Sequence, residues 1–163
     1  MKKVLLIAIF AICGLGTVNA QEGNFNAGIN LGLPTGDADA GYTFVLGAEV
    51  NYLFTVSEGF EVGPSVSFVN YFGDEILGIT IDSASFLPIA AAARYDASEK
   101  FVVGADLGYG IGISPDGNDG GFYYRPMVGY NLNEKITLQA SYSGVSVNGG
   151  TFSNFGVGAM FSF

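Results

Sequence analysis

From Asn24 onward, apolar and polar residues alternate in segments of about ten residues, separated by stretches rich in Gly, Asn, Asp and Ser. Period-2 alternation puts one set of side chains on each face of a pleated strand. In the first segment, Asn24 to Leu33, one face carries Phe25, Ala27, Ile29, Leu31 and Leu33, and the other Asn24, Asn26, Gly28, Asn30 and Gly32. The second opposes Phe44, Leu46, Ala48, Val50, Tyr52 and Phe54 to Gly47, Glu49 and Asn51. The third opposes Phe60, Val62, Pro64, Val66 and Phe68 to Glu61, Gly63, Ser65 and Ser67. A fourth, about Ser85 to Tyr95, has its phase blurred by Ala90 to Ala93. The fifth is the clearest, with Phe101, Val103, Ala105, Leu107, Tyr109, Ile111 and Ile113 against Val102, Gly104, Asp106, Gly108, Gly110 and Gly112. The sixth runs from about Phe122 to Leu132, the seventh from Ile136 to Ser143, and the eighth ends the chain with Phe155, Val157, Ala159, Phe161 and Phe163 on one face.

Eight such segments predict an all-β, antiparallel, up-and-down arrangement. Their apolar faces are five to seven residues long in the clearest cases, the length of a tilted membrane-crossing strand. Aromatics gather at two levels. Tyr52, Phe54, Phe60, Tyr95, Phe101, Tyr130, Phe161 and Phe163 lie near one, and Phe44, Phe68, Phe72, Tyr109, Tyr124 and Tyr142 near the other, as interfacial girdles require. The connections alternate as well. Thr55 to Gly59, Asp96 to Lys100 and Asn133 to Lys135 are short, whereas Pro34 to Tyr42, Gly73 to Ala84, Ser114 to Gly121 and Gly144 to Thr151 are longer. Short periplasmic turns and long outer loops then place both termini on the periplasmic side. Pro64, Pro88 and Pro126 fall inside strands, where each removes a ladder donor, and a closed barrel has no edge to hold them; bulges would accommodate them.

The first 20 residues read differently. Lys2 and Lys3 precede an apolar run, Val4 to Gly16, and Val18-Asn19-Ala20 offers a small-residue cleavage site. The run is shorter than the roughly 20 residues of a spanning helix. Residues 1–20 are therefore expected to be a cleaved signal peptide, and residues 21–163 one barrel domain beginning at Gln21. Cleavage removes Cys13, the only cysteine, and leaves four basic against 15 acidic residues, a net charge of about −11. Such a chain is a poor nucleic-acid ligand, since phosphate contacts need clustered Lys and Arg. High aromatic and glycine content with few charges is reconciled if the apolar face meets lipid and the polar face lines the lumen.

With these segments in place, the chain resembles the small outer-membrane β-barrel proteins of the OmpX/OmpA-barrel type, in the version common in Bacteroidetes-like bacteria. The resemblance covers residues 21–163. It rests on the strand count, on Arg125-Pro126-Met127-Val128-Gly129-Tyr130, and on the last strand, Asn154 to Phe163. It implies a bacterial outer-membrane location and makes the terminal strand, with Phe161 and Phe163, a recognition element for the barrel-assembly machinery. It implies no single role, because function belongs to sites rather than folds.

The residues limit the chemistry. The chain has no histidine. Ser-His and Cys-His nucleophile pairs and the usual zinc and copper sets are unavailable. No cofactor or metal is expected. The histidine-dependent barrel enzymes of this membrane are likewise not matched. Five ionisable residues fall on inward faces: Glu49, Glu61, Arg94, Asp106 and Arg125. They read as a plug of paired charges, with an ion path as the sharper alternative. Arg125 is expected to pair with Glu49 or Asp106, and Arg94 with Glu61. Gly108-Tyr109-Gly110-Ile111-Gly112 lies within a strand with no helix after it, so a dinucleotide loop is excluded. The long connections carry Asp37, Asp39, Asp74, Glu75, Asp82, Asp116 and Asp119 and no basic residue. Solvated loops explain them; a divalent-cation site at Asp116 to Gly120 would lack the EF-hand spacing. Ile76 to Ile81 is either a plain hairpin or an edge offered to a partner.

The expected protein is a non-enzymatic outer-membrane barrel with a structural or surface-interaction role. Its partners are outer-membrane lipid, the assembly machinery and a surface ligand of the outer loops. A minor pore or lipophilic-ligand carrier, and a soluble exported barrel that binds a small ligand, remain as alternatives. Cell fractionation should place the protein in the membrane fraction, with a gel mobility that changes on heating; recovery as a detergent-free monomer contradicts the membrane reading.

Overall fold

The computed structural model describes residues 23–76 and 78–163. The expected signal peptide and its cleavage site lie outside the described residues. Ten strands occur among the described residues: β1 (Gly23–Thr35), β2 (Tyr42–Ser57), β3 (Phe60–Gly73), β4 (Glu75–Ile76), β5 (Ile79–Thr80), β6 (Ala84–Asp96), β7 (Phe101–Ser114), β8 (Gly121–Asn133), β9 (Ile136–Val147) and β10 (Gly150–Ser162). Eight of them form a closed antiparallel barrel in the order β1-β10-β9-β8-β7-β6-β3-β2, while β4 and β5 form a separate two-stranded hairpin above it. The run Ile76 to Ile81 is thus centred on a small hairpin of its own.

Closure is made by β1 and β10, paired from Asn26↔Ser162 to Thr35↔Ser153. The chain end is tied to the same seam: Phe163 N–H donates to the Phe25 carbonyl at 3.0 Å and the two rings lie 6.0 Å apart. Closure carries a stagger. Following partners from Gly23 through Phe54, Val62, Ala93, Ala105 and Pro126, then across the β8–β9 gap in unchanged register to Tyr142 and Phe155, returns to β1 at Leu33, ten residues above the start. With eight strands, such a shear tilts each strand by roughly 40° to the barrel axis.

Alternation is realised all round the barrel. Leu33 and Val157 expose 66% and 56% of their surface on the outside, whereas Asp106 exposes 1% on the inside. The uncertain phase of β6 is settled, with Phe86, Pro88, Ala90, Ala92 and Arg94 inward. Aromatic pairs stand at both levels of the outer face: Tyr52–Phe54 at 4.9 Å and Phe101–Tyr130 at 5.2 Å near the short turns, Phe44–Phe72 stacked at 4.2 Å near the long loops.

Two expectations are corrected. The connection Gly144 to Thr151 is mostly strand, with Asn148-Gly149 at its turn and Gly149 at φ 101°; an Asn-Gly pair between strands favours that turn because it accepts positive φ. The prolines do not sit at bulges. Pairing of β2 with β3 passes from Asn51↔Ser65 to Phe54↔Val62, skipping Pro64 without changing register. Pairing of β3 with β6 likewise skips Pro88, and that of β8 with β9 skips Pro126. Each proline stays paired on its other side, with Ala91, Gly110 and Ala105 respectively. A missing N–H removes a bond toward one neighbour only, so the ladder opens locally and resumes in phase.

Gly63 sits beside one such opening, and a Cβ there would overlap the Tyr52 carbonyl. Gly47 has its nearest neighbour, the Phe68 carbonyl, at 3.6 Å from the same built atom. Gly63→Ala should therefore destabilise the barrel by about 1–3 kcal/mol. Gly47→Ala should stay within about 0.5 kcal/mol, as a tolerated substitution does. Unfolding midpoints in detergent test the difference.

Candidate functional site: the filled lumen

The inward faces meet in three layers. Nearest the long loops is an apolar layer of Ala38, Val45, Tyr71, Ala84, Phe86, Ala90, Tyr123 and Val145, with Phe152 packed against it. Phe152 lies 5.0 Å from Phe86 and 5.5 Å from Tyr71 between ring centroids. Ala38 belongs to a short 3-10 turn, Gly36–Ala38, which folds over this end and is held there by Thr151 N–H donating to Asp37 Oδ2 at 3.0 Å. The buried Tyr71 hydroxyl donates to the Phe152 carbonyl at 3.0 Å and accepts from Asn154 Nδ2 at 2.9 Å.

Below lies a closed ring of charge. Arg94 Nη1 contacts Asp106 Oδ1 at 2.6 Å, and Arg125 Nη2 contacts Asp106 Oδ2 at 2.6 Å. Arg125 Nη1 also contacts Glu49 Oε2, and Arg94 Nη2 lies 3.7 Å from Glu49 Oε1. Two cations and two anions alternate, and all four residues are buried. Only the Arg94 Nη1–Asp106 Oδ1 contact is a hydrogen bond; the other three are ionic, and Arg125 Nε finds no protein acceptor. Charges of this kind are held inside a protein only when paired and hydrogen-bonded. Part of that support comes from a polar relay: Ser162 donates to Asn26 at 2.6 Å, Asn26 to Asn51 at 2.8 Å, and Asn51 to Glu49 at 2.9 Å.

The third layer is a polar vestibule of about 200 Å³ at the short-turn end, bounded by Asn24, Glu61, Asp96, Asn133 and Glu134 at its mouth and by Arg94 and Met127 deeper in. Above the ring, the space between Arg125, Tyr123 and Asn154 holds only about 20 Å³, roughly the volume of one water.

The structure brings Glu49, Arg94, Asp106 and Arg125 together and leaves Glu61 out. Arg94 and Glu61 are register partners across β3 and β6, yet Arg94 does not pair with it. Its side chain lies over Gly104, where a Cβ would stand 2.6 Å from Arg94 Cδ. That missing side chain lets the guanidinium climb to Asp106, two residues further along β7. Glu61 remains half-exposed in the vestibule and accepts from Asn24 Nδ2 at 3.2 Å. Sequence reasoning also missed Tyr71 and Phe86. The alternation of the third segment continues beyond Phe68, and three more residues put Tyr71 inside. At Asp116 to Gly120 the Asn118 side chain closes the loop on itself, donating to the Ser114 carbonyl at 3.0 Å and accepting from Gly120 N–H at 3.1 Å.

This geometry is that of a small membrane barrel with a filled interior. Residues 5–163 match the family described as outer membrane protein beta-barrel domain, and the chain belongs to that family. No curated protein matches it in sequence. Among solved structures it is similar to the outer membrane protein Ail of Yersinia pestis in a phospholipid nanodisc, with 17% identity, TM-score 0.62, and 87% of this chain and 100% of that one covered. The Neisserial surface protein NspA is similar at 15% identity, TM-score 0.55, with 86% and 97% covered. A de novo designed transmembrane β-barrel is similar at 12% identity, TM-score 0.57, with 90% and 100% covered. At these identities the likeness concerns the fold.

Removing one partner of the ring leaves a buried charge unpaired, which costs about 3–5 kcal/mol. Arg125→Leu should lower the unfolding free energy on that scale, and the exposed Glu58→Gln by less than about 0.5 kcal/mol. A double-mutant cycle between Arg94 and Asp106 should give a coupling of about 0.5–3 kcal/mol, and one between Arg94 and Glu61 a coupling near zero. Equal couplings would contradict the pairing.

Proposed function

We propose that the protein is a non-enzymatic outer-membrane barrel with a structural or surface-interaction role, its short turns periplasmic and its long loops outside. One observation carries this reading: the lumen is closed by the Glu49–Arg94–Asp106–Arg125 ring beneath a packed aromatic layer. Such packing argues against the continuous water path that a pore needs. Eight strands enclose an interior that side chains can fill, and here the void above the ring is about 20 Å³. Absence of histidine from the whole chain supports a role without nucleophilic or metal catalysis.

Interaction then falls to the loop end. Its acids, Asp37, Asp39, Asp74, Glu75, Asp82, Asp116 and Asp119, meet no lysine or arginine there. Ail of Yersinia pestis has been crystallised with the heparin analogue sucrose octasulfate; these acidic loops would repel a polyanion of that kind and favour a neutral or basic partner. The β4–β5 hairpin, with Ile79 70% exposed, stands above the barrel as the projecting element of this end. At biogenesis, the processed chain would begin at Gln21, and the outward Phe161 and Phe163 of the last strand would serve the assembly machinery.

Two measurements test the reading. Planar-bilayer recordings of the purified protein should show no stable, large single-channel steps; such steps rule out a plugged barrel. The processed chain lacks cysteine, so Asp116→Cys and Glu58→Cys each introduce a single thiol. A membrane-impermeant maleimide should label the first in intact cells and the second only after lysis. Reversed labelling inverts the orientation.

A further inference from the structure

The outer face is not uniformly convex. An apolar groove of about 600 Å³ crosses it over β7 to β10 and β1. Its course follows two adjacent rungs of the sheet. One is Phe101–Tyr130–Leu138–Ala159–Ile29, and the other is Val128–Ala140–Val157–Leu31. Ala140 and Ala159 form its floor, because each stands where most outward positions carry a larger side chain.

The direction of this groove matters. Because the barrel is sheared, a line of paired residues taken from β7 toward β1 rises toward the long-loop end. Four strand spacings of ~4.8 Å make about 19 Å. At a tilt of roughly 40° the line climbs about 12 Å, against about 15 Å for one leaflet's half of the hydrocarbon core. The groove therefore starts at the short-turn interface, at Phe101, and ends near mid-barrel, at Ile29.

Charge marks its lower end. Among the described residues the only lysines are Lys100 and Lys135. Lys100 immediately precedes the groove residue Phe101, and its ammonium lies 6.0 Å from the ring centroid of Tyr130, another groove residue. The Lys100 carbonyl accepts from Asn131 N–H of β8 at 2.8 Å, and the Lys135 carbonyl from Ser162 N–H of β10 at 2.9 Å. Both lysine turns are thus pinned to strands that build the groove. The third short turn, Ser57-Glu58-Gly59, lies away from it and has no lysine. Each lysine follows a glutamate, Glu99 or Glu134. The turns offer cations for a phosphate and, in Glu99, a carboxylate for an amine, while Glu134 lines the lumen vestibule.

We propose that this groove is a specific site for one phospholipid of the periplasmic leaflet, with an ethanolamine headgroup. Its phosphate is held by Lys100 and Lys135, its amine by Glu99, and one acyl chain lies along the floor at Ala140 and Ala159. A second copy of the chain fits less well, since a two-fold interface sets the same patch against itself and two concave floors do not fill one another. The site rests on the orientation proposed above, which the thiol labelling tests separately.

The experiment uses the protein in bilayer nanodiscs with equimolar phosphatidylethanolamine and phosphatidylglycerol, released for native mass spectrometry. One phosphatidylethanolamine should stay bound to the wild type. Its retention should fall about tenfold in Lys100→Gln/Lys135→Gln and in Ala140→Phe/Ala159→Phe, and stay unchanged in Glu58→Gln. Heat-dependent gel mobility verifies that each variant is folded, and Lys100→Gln alone serves where a double variant is not. Equal retention in folded variants, preference for phosphatidylglycerol, or a protein dimer in place of the lipid adduct overturns the proposal.

Discussion

Inside a bilayer no water is available to backbone N–H and C=O groups, and each one left open costs several kcal/mol. The pairing of β1 with β10 answers that constraint, for without it two full strand edges would face lipid. The shear follows from closure, since strands that close on themselves must tilt and stagger together. Even the exceptions obey it. Pro64, Pro88 and Pro126 each open the ladder on one side, and pairing resumes in the same register beyond the gap. The last residue is enlisted too, its N–H bonded to Phe25 across the seam.

Closure also decides what the interior can be. Once eight strands are joined, the enclosed space is narrow, and every inward side chain meets others from across the barrel. Two arginines and two carboxylates can be tolerated there because they neutralise one another around a ring, with the Asn26–Asn51 relay holding Glu49 from below. Above them, Tyr71, Phe86 and Phe152 fill the long-loop end with rings rather than charge. Glycine is the complement of this crowding: Gly104 is vacant space that the Arg94 side chain occupies. The charge that remains outside the lumen is polarised. Among the described residues the charged side chains of the long-loop end are acids alone, and both lysines stand at the short turns beside a groove that rises with the shear.

Much of this was legible in the chain itself. Alternation along Asn24 to Leu33, Phe101 to Ile113 and Phe155 to Phe163 determined the strands, their outward faces and the two aromatic levels, because strand periodicity is a local property and lipid demands one apolar face. The same alternation put Glu49, Glu61, Arg94, Asp106 and Arg125 on inward faces, where charges need partners. Tertiary structure alone decided which partners. Arg94 reaches Asp106 and Glu49 instead of its neighbour Glu61, since the route depends on empty space above Gly104 and on residues brought from β2, β7 and β8 by the stagger. The same holds for the seal of Ala38, Tyr71 and Phe152, and for the course of the outer groove. These are contacts between residues far apart in the chain, and their heights depend on a shear that accumulates only when the last strand meets the first.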